Sequence, residues 1–565
     1  LKLFTNRYLQ TALLILPIAV FFVYFFALRY NIPWFDEYEN IPYFLQRFVD
    51  ARSVSEGLDA LLKPNNEHRV LYARLVVYAQ YLLTGGLSFS GLMLWGNLGL
   101  VLIFGLLYRS TSSLEGANSR FWLLPVPLML FVAQNYLLTF TAIYTLQYLA
   151  IIVLVLLTFF VLAYDRPGSF AGALGLGALA TFSMGNGILL WPAGAAMLLI
   201  RRRWLWLGIW LVFGAVCIWL YFLNYPVQQG NAEGFAYVLA HPIQTLAGFF
   251  IFAGSLFDFF PAWTVERRSA LPLLAGLAVV GVLAWWLVRV VFRKEANRSH
   301  FETFLTGVAL FLLANMALIA FFRIRFYFGM VLHSSYRTYS MVLWAVGYLA
   351  LLSLLKPQTR QRLVPVLWGL FLFVNVLTYV TYVPEAVVRR KHMQGLTFNQ
   401  QHNQIGLGGT HNSPLARWII ELDSTMRVRN WHTLPNPAIT PDETRLLLDS
   451  VGRAQLGPRI ATSFRLLDQP GYFNLESDAP GYRVGMNEGT YVVFWPSDGR
   501  KAAYVMFAEP RKPTGKNPFA RPNGWLTSMP KGLLPPGRYD IGLFETTPAG
   551  SRLVRTDQTA TVLAK

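Results

Sequence analysis

Apolar residues arrive along this chain in long blocks, and polar residues crowd into the gaps between them. Blocks near residues 9–28, 88–108, 121–138, 142–163, 170–182, 187–200, 204–223, 270–292, 303–321, 338–355 and 362–382 predict eleven membrane-spanning helices. Roughly 20 apolar residues are what a helix needs to cross the hydrocarbon core. Two further stretches, Val70 to Leu83 and His241 to Phe260, are expected to be helices that lie in or dip into the outer interface. The first mixes Arg69 and Arg74 with Tyr72, Tyr78 and Tyr81, a composition suited to the head-group level. The segment Glu37 to Val49 is a similar candidate, with Tyr38, Ile41, Phe44, Leu45 and Phe48 at helical spacing. Counting both stretches as spans raises the total to thirteen, which is also odd, so the ends do not change sides.

At Arg389 the pattern changes. Long apolar runs stop, and Gly, Pro, Asn and Asp punctuate short segments. Residues 389–456 read as helical: Ser413-Pro414 supplies an N-cap and first-turn proline, and Thr440-Pro441-Asp442-Glu443 reads as a capping box. Residues 457–565 alternate like strands at Tyr491–Phe494, Ala503–Phe507, Arg538–Phe544 and Thr559–Leu563, so a small β-sandwich is expected. The fold class is thus an α-helical polytopic membrane domain over 1–388, followed by a soluble α+β domain over 389–565.

Composition agrees with that division: 55% hydrophobic, 14% charged and a mean hydropathy of +0.41 exclude an ordinary soluble enzyme. A formal net charge of +19 would suit nucleic acid in a soluble chain. Here the bases sit in short loops between apolar blocks, which reports orientation and anionic lipid instead. With the N-terminus in the cytoplasm, the inner loops hold fourteen Lys and Arg against Glu115, Asp165, Glu295 and Glu302, and everything after Tyr382 lies outside. Leu9 to Leu28 reads as a retained helix, not a cleaved signal. Cys217, the only cysteine, leaves no disulfide framework and no thiolate zinc site.

Chemistry gathers on the outer side. Asp36 and Glu37 follow the first span in Asn31-Ile32-Pro33-Trp34-Phe35-Asp36-Glu37-Tyr38. Carboxylates beside lipid are costly, so the pair implies a water-filled site, a bound cation or a proton-transfer task. Asn65 to Arg69, the loop Gln134 to Thr141, the turn Ser183 to Gly187 and the segment Arg323 to Arg337 map to the same side. Polar groups converging from distant external loops describe a cavity at the membrane surface.

These pieces, in this order, resemble the bacterial GT-C glycosyltransferases that use polyprenyl-phosphate sugars, the superfamily of aminoarabinose, arabinofuranosyl and mannosyl transferases. The matching residues are Asp36-Glu37, Asn66-Glu67-His68-Arg69, Gln147, Ser183 to Gly187 with Trp191-Pro192, and Ser334-Ser335-Tyr336-Arg337, over roughly residues 1–385. The chain departs from the pattern at Gln134-Asn135-Tyr136, where an acid is expected after the Asn, and at Tyr336-Arg337, where the order is reversed. The resemblance implies an inverting transferase of the bacterial inner membrane. It would move a sugar, arabinofuranose or a hexose, from a polyprenyl-phosphate donor to a glycan or a protein such as a pilin. Asp36 would be the general base and Glu37 would orient the acceptor or help hold Mg²⁺, Mn²⁺ or Ca²⁺. Arg337, with Arg323 and Arg325, would bind the donor phosphate, and His68 and Arg69 would contact it with Glu67 fixing His68. Tyr336, His333, Gln147 and Asn186 fall in the surrounding shell.

Each residue also has a structural reading. Arg323 and Arg325 can snorkel to head groups, Gln147 can bond between helices, and Asn186 is expected to supply a left-handed turn between glycines. His392, His402 and His411 fit no metal-ligand spacing. Trp431, Phe494, Trp495, Phe507 and Trp525 could stack on sugar rings, although core packing explains most of them. Two other classes remain open: a flippase for lipid-linked sugars, for which paired repeats would be expected, and a non-catalytic receptor.

Overall fold

The computed structural model describes residues 6–66, 68–113, 119–225, 231–292, 299–435, 441–448, 464–480, 482–512, 517, 519 and 523–563. It divides into two compact units. The first comprises Leu1–Ala27, Phe44–Gln80 and Gly91–Val383, and the second comprises Leu28–Tyr43, Tyr81–Ser90 and Pro384–Lys565. The composition change at Arg389 therefore falls a few residues inside the second unit. That unit also takes in the segment bearing Asp36 and Glu37, which the linear reading had placed in the membrane domain.

Eight helices among the described residues are long and apolar enough to cross a membrane: Arg7–Leu28, Phe89–Ser110, Ala142–Leu162, Trp204–Phe222, Val265–Val291, His300–Arg323, Arg337–Leu354 and Pro357–Asn403. The count reaches ten if each of two bent pairs is one span, against the eleven expected. The block at 121–138 is broken by 41° between Arg120–Leu130 and Ala133–Thr139. Its freed carbonyls are not orphaned, because Asn375 Nδ2 donates to Leu128 O at 3.0 Å and Phe131 O at 2.9 Å. The blocks at 170–182 and 187–200 become Pro167–Ser183, 17 residues long, and the short apolar helix Gly185–Ile200. The stretch from His241 forms Pro242–Ala253, bent by 100° from Glu233–Ala240. Pro242 accounts for the corner, since the residue before a proline is pushed out of helical geometry.

Close packing in this unit relies on missing side chains. A Cβ on Gly254 would lie 1.9 Å from Pro272 O, and one on Gly276 would lie 1.8 Å from Phe250 O, so these two glycines let neighbouring helices meet backbone to backbone. The span Trp204–Phe222 leaves Leu205, Val212 and Trp219 exposed, a surface suited to acyl chains and not to water. Leu71–Thr84 is a helix as expected. Arg74 in it is not at a head-group surface, however. It is buried, and Nη1 donates to Leu61 O and Lys63 O at the end of helix Val54–Leu62.

The second unit carries two antiparallel four-stranded sheets. One has the order β1(Phe464–Gln469), β2(Tyr472–Pro480), β6(Asn523–Pro530), β5(Glu509–Pro510). The other has the order β4(Tyr504–Phe507), β3(Gly489–Pro496), β7(Gly537–Thr547), β8(Gly550–Val562). The four expected strands are β3, β4, β7 and β8. Strands β1 and β2 were hidden by their polar residues, though Pro470-Gly471 marks the tight turn between them: proline fixes the first central φ, and Gly471 takes the positive φ of 91°. The last turns of helix Pro357–Asn403 blunt the edge strand β4. Asn399 exchanges hydrogen bonds with Val505 N and O, both at 2.8 Å, and Asn403 Nδ2 donates to Ala503 O at 2.7 Å. Phe398, Leu447, Tyr491, Val493, Trp495 and Phe507 form the core beneath that contact. Trp431, Phe494 and Trp525 are likewise at most 5% exposed, so none of the five aromatics offers a face to a sugar. Helix Pro441–Leu448 is present, whereas Thr440, its expected cap, lies outside the described residues.

Candidate functional site

A cavity of about 240 Å³ opens in the first unit where several interrupted elements meet. His300–Arg323 starts with a reciprocal capping box between Ser299 and Glu302 and ends in Arg323, a cation at the negative end of the helix dipole. The chain then turns through Arg325 and reaches Tyr336 before helix Arg337–Leu354 begins. Arg323, Arg325 and Tyr336 line the cavity with His68, Tyr148, Asn186, Tyr225, Asn315 and Tyr339, on a wall that includes the apolar side chains of Leu318, Ile319, Phe222 and Phe322.

Five sequence candidates thus meet here: His68, Asn186, Arg323, Arg325 and Tyr336. His68 is held by a tight reversal in which Asn65 N and O pair with His68 O and N at 2.7 and 2.9 Å. Asn66 at the tip adopts φ 47°. Gly185 N donates to His68 Nδ1 at 3.3 Å, which places the proton of the neutral ring on Nε2. Glu67, expected to fix this ring, lies outside the described residues. Asn186 is not a left-handed turn residue. Its Nδ2 donates to Asn315 Oδ1 and to Tyr339 OH, each at 2.8 Å, leaving Asn186 Oδ1 and Asn315 Nδ2 buried without hydrogen-bond partners. The neighbouring Gly187 serves close approach instead, since a Cβ there would lie 2.3 Å from Ala180 O.

Arg325 is distinctive among these side chains. Its guanidinium stacks 4.6 Å from the Phe326 ring, and Nε and Nη1 are buried with no hydrogen-bond partner. A cation left unsatisfied at a cavity wall is an exception that calls for a ligand or a cost.

The other arginines have different work. Arg337 does not line the cavity. Its side chain is 2% exposed, and Nη2 meets Asp258 Oδ2 at 2.5 Å and Leu332 O at 2.6 Å, with the Tyr382 ring 4.8 Å away. Asp258 also takes a bidentate pair from Arg268 at 3.1 and 2.6 Å. Arg337 is therefore committed to a buried ion-pair cluster and positions the chain around it. Arg69 is saturated by carbonyls: Nε donates to Tyr221 O at 2.8 Å, Nη1 to Leu62 O at 2.5 Å and Nη2 to Leu223 O at 2.6 Å. It caps the end of helix Trp204–Phe222. His333 is held neutral, its pKa pushed down to about 4 by burial and then by Arg337. Gln147 is buried in a π-helical turn, Thr145–Leu149, and it is its neighbour Tyr148 that lines the cavity. Tyr148, Asn315 and Tyr339 escaped the sequence reading. Asn315 was detectable as an amide inside an apolar span, and a π-helical turn is itself a frequent mark of function.

In the second unit, the two adjacent acids part company. Glu37 is 1% exposed and Oε2 accepts from Trp34 N at 2.8 Å, so it closes the turn from inside. Asp36 stays half-exposed, and burial followed by the nearby Glu39 raises its pKa. The residue before it, Phe35, is strained at φ 49° and ψ −109°. Arg389, which the sequence marked only as a boundary, stacks 4.1 Å from the Trp34 ring, and its Nε and Nη2 have no hydrogen-bond partner. With Glu37 turned inward, the pair is not a preformed cation cage. Among the described residues no group of three or more His, Cys, Asp or Glu is placed to hold a metal ion.

The fold and these sites define a multi-span helical chain with a sheet-bearing second unit and an arginine-lined cavity. No family model matches the sequence, and no curated protein matches it. Among solved structures, ArnT from Cupriavidus metallidurans in the apo state aligns over 78% of this chain and 91% of its own, at 16% identity and a TM-score of 0.31. Similarity that weak does not establish a shared fold.

Proposed function

We propose that the chain is a GT-C-type glycosyltransferase of the bacterial inner membrane, moving a sugar from a polyprenyl-phosphate donor to an acceptor hydroxyl. The observation that carries this reading is the unsatisfied Arg325 guanidinium beside Arg323 and His68 on a cavity wall within an apolar helical unit. Such a wall favours an anion whose remainder is apolar, and a lipid phosphate fits that description. Asn186 Oδ1 and Asn315 Nδ2 add one acceptor and one donor suited to sugar hydroxyls.

In the reaction, the acceptor oxygen attacks the anomeric carbon, the bond from that carbon to the phosphate oxygen breaks, and the configuration inverts. Asp36 takes the acceptor proton, and its raised pKa makes it a stronger base than an ordinary aspartate. Polyprenyl phosphate leaves as the anion, stabilised by Arg325 and Arg323. Glu37 closes the turn that bears Asp36, and Arg337 holds the buried Asp258 cluster of the first unit. The charge asymmetry of the loops supports a cytoplasmic N-terminus and a periplasmic second unit, whose two sheets we read as a sandwich.

The test is transfer by the purified full chain in lipid nanodiscs, with a synthetic polyprenyl-phosphate sugar and release of lipid phosphate as the readout. Asp36→Asn should lower kcat by about 10²- to 10⁴-fold while donor binding persists. A folded Asp36→Asn protein with the wild-type rate rejects the base assignment.

A further inference from the structure

A second cavity, about 360 Å³, lies within the second unit. It is bounded by the end of helix Pro357–Asn403, by helix Pro414–Val428 and by the segment through His432 and Thr433. Asp423 is its only carboxylate among the described residues, and Arg427 is its one arginine. Gln400, Gln401 and Gln404 supply amides, and Ile420, Met426 and Leu434 supply apolar surface.

Asp423 is held in an unusual way for a largely buried carboxylate. Tyr38 OH donates to Oδ1 at 3.0 Å and Gln400 Nε2 donates to Oδ2 at 3.0 Å, both of them neutral donors. Gln400 is fixed in turn, its Oε1 accepting from Leu407 N at 3.3 Å. A carboxylate has about four acceptor positions, so the two bonds orient it and leave capacity for donors from a ligand. One carboxylate against one guanidinium gives the wall no net charge to draw a phosphate. His432 is 7% exposed, with Nδ1 3.3 Å from Leu87 O, and burial holds it neutral. His402 is a second imidazole on the wall, its pKa also lowered by burial, so oriented amides, one carboxylate and two imidazoles around an apolar floor match a ligand that is neutral and carries several hydroxyls.

We propose that this cavity binds a sugar unit, with Asp423 accepting hydrogen bonds from two of its hydroxyls. Tyr38 joins the cavity to chemistry, because the residue that orients Asp423 belongs to the same short helix, Asp36–Tyr38, as the acidic turn. The sugar is accordingly the end of the acceptor, and its seating is sensed two residues from Asp36. Calling it the acceptor rests on the transferase reading above; the binding claim does not.

The experiment is saturation-transfer NMR on the full chain in nanodiscs with no donor present, using methyl α-D-mannopyranoside and methyl α-D-arabinofuranoside as probes. At least one glycoside should bind. Asp423→Asn should weaken it about tenfold or more, as loss of a charge-assisted hydrogen bond implies. Gln404→Ala, on the exposed rim, should weaken it as well and decides the matter if Asp423→Asn fails to fold. The proposal is overturned if neither glycoside binds, if both variants bind like wild type, or if inorganic phosphate displaces the glycoside competitively. Because no donor is present, an inactive transferase leaves this readout unchanged. Active transfer with unchanged glycoside binding in the variants would sink the sugar site alone.

Discussion

The two cavities differ in charge economy. The cavity of the first unit sets Arg323 and Arg325 on an apolar wall with no carboxylate among its described lining residues, whereas that of the second balances Asp423 against Arg427 among amides. An unbalanced cation within an apolar unit selects for an anion; a balanced, amide-rich wall selects by hydroxyl geometry. The contrast teaches that a count of basic residues says little about ligand binding. What matters is which charges are already spent inside the protein. Arg69 spends its guanidinium on three carbonyls, and Arg337 spends Nε and Nη2 on Leu332 O and Asp258 with only Nη1 left over, whereas Arg325 leaves both Nε and Nη1 unsatisfied on a cavity wall.

The sharpest way to break this contrast is at Arg337. Arg268 still pairs with Asp258 when Arg337 is removed, so the cost of Arg337→Ala is that of emptying a fully buried side chain and stripping Leu332 O of its donors, about 3–5 kcal/mol, read as lost folded yield and a lower Tm. A stable Arg337→Ala protein with impaired donor binding would instead return Arg337 to the ligand site. Asp423 gives the next largest effect. Burial raises its folded pKa to about 6, above the unfolded value, so the folded state holds this proton more tightly. Stability contributed by that proton is present at low pH and is lost as pH rises from about 4 to about 6, at most about 3 kcal/mol. Asp423→Asn should therefore flatten that part of the Tm-against-pH profile, and a variant as pH-sensitive as wild type would contradict the cause assigned.

Arg325→Ala should weaken donor binding by about 10- to 150-fold, the worth of one charge-assisted hydrogen bond, with Tm little changed. Equal donor affinity in the variant would remove the cationic wall from the argument. The smallest effect belongs to Phe35→Gly. Relief of its positive φ should stabilise the second unit by about 1 kcal/mol, and transfer should fall because the turn bearing Asp36 loses its fixed geometry. A gain in both would show the strain to be incidental.

Much of the architecture was legible in the residues. Apolar blocks marked the long helices, alternation marked β3, β4, β7 and β8, and the acidic turn, His68, Asn186, Arg323, Arg325 and Tyr336 were singled out as candidates. Legibility failed where a residue's role depends on a distant partner. Arg325 and Arg337 look alike in sequence, yet Asp258, 79 residues from Arg337, separates their roles. Gln147 stood out because it is polar in an apolar run, but a π-helical turn presents Tyr148 to the cavity.

By itself, then, the sequence determined which segments are apolar enough to enter a bilayer, where the composition turns soluble, and that acids and bases cluster outside the spans. Those properties are sums over local residues, and hydrophobic burial is indifferent to the identity of the neighbour. Only the tertiary structure decided that Glu37 faces inward while Asp36 does not, that Asp423 answers Tyr38 from 385 residues away, and that Arg325 keeps its donors unspent. Hydrogen bonds and ion pairs are short-ranged and directional, so their partners are set by how helices and strands pack and not by the order in which they occur.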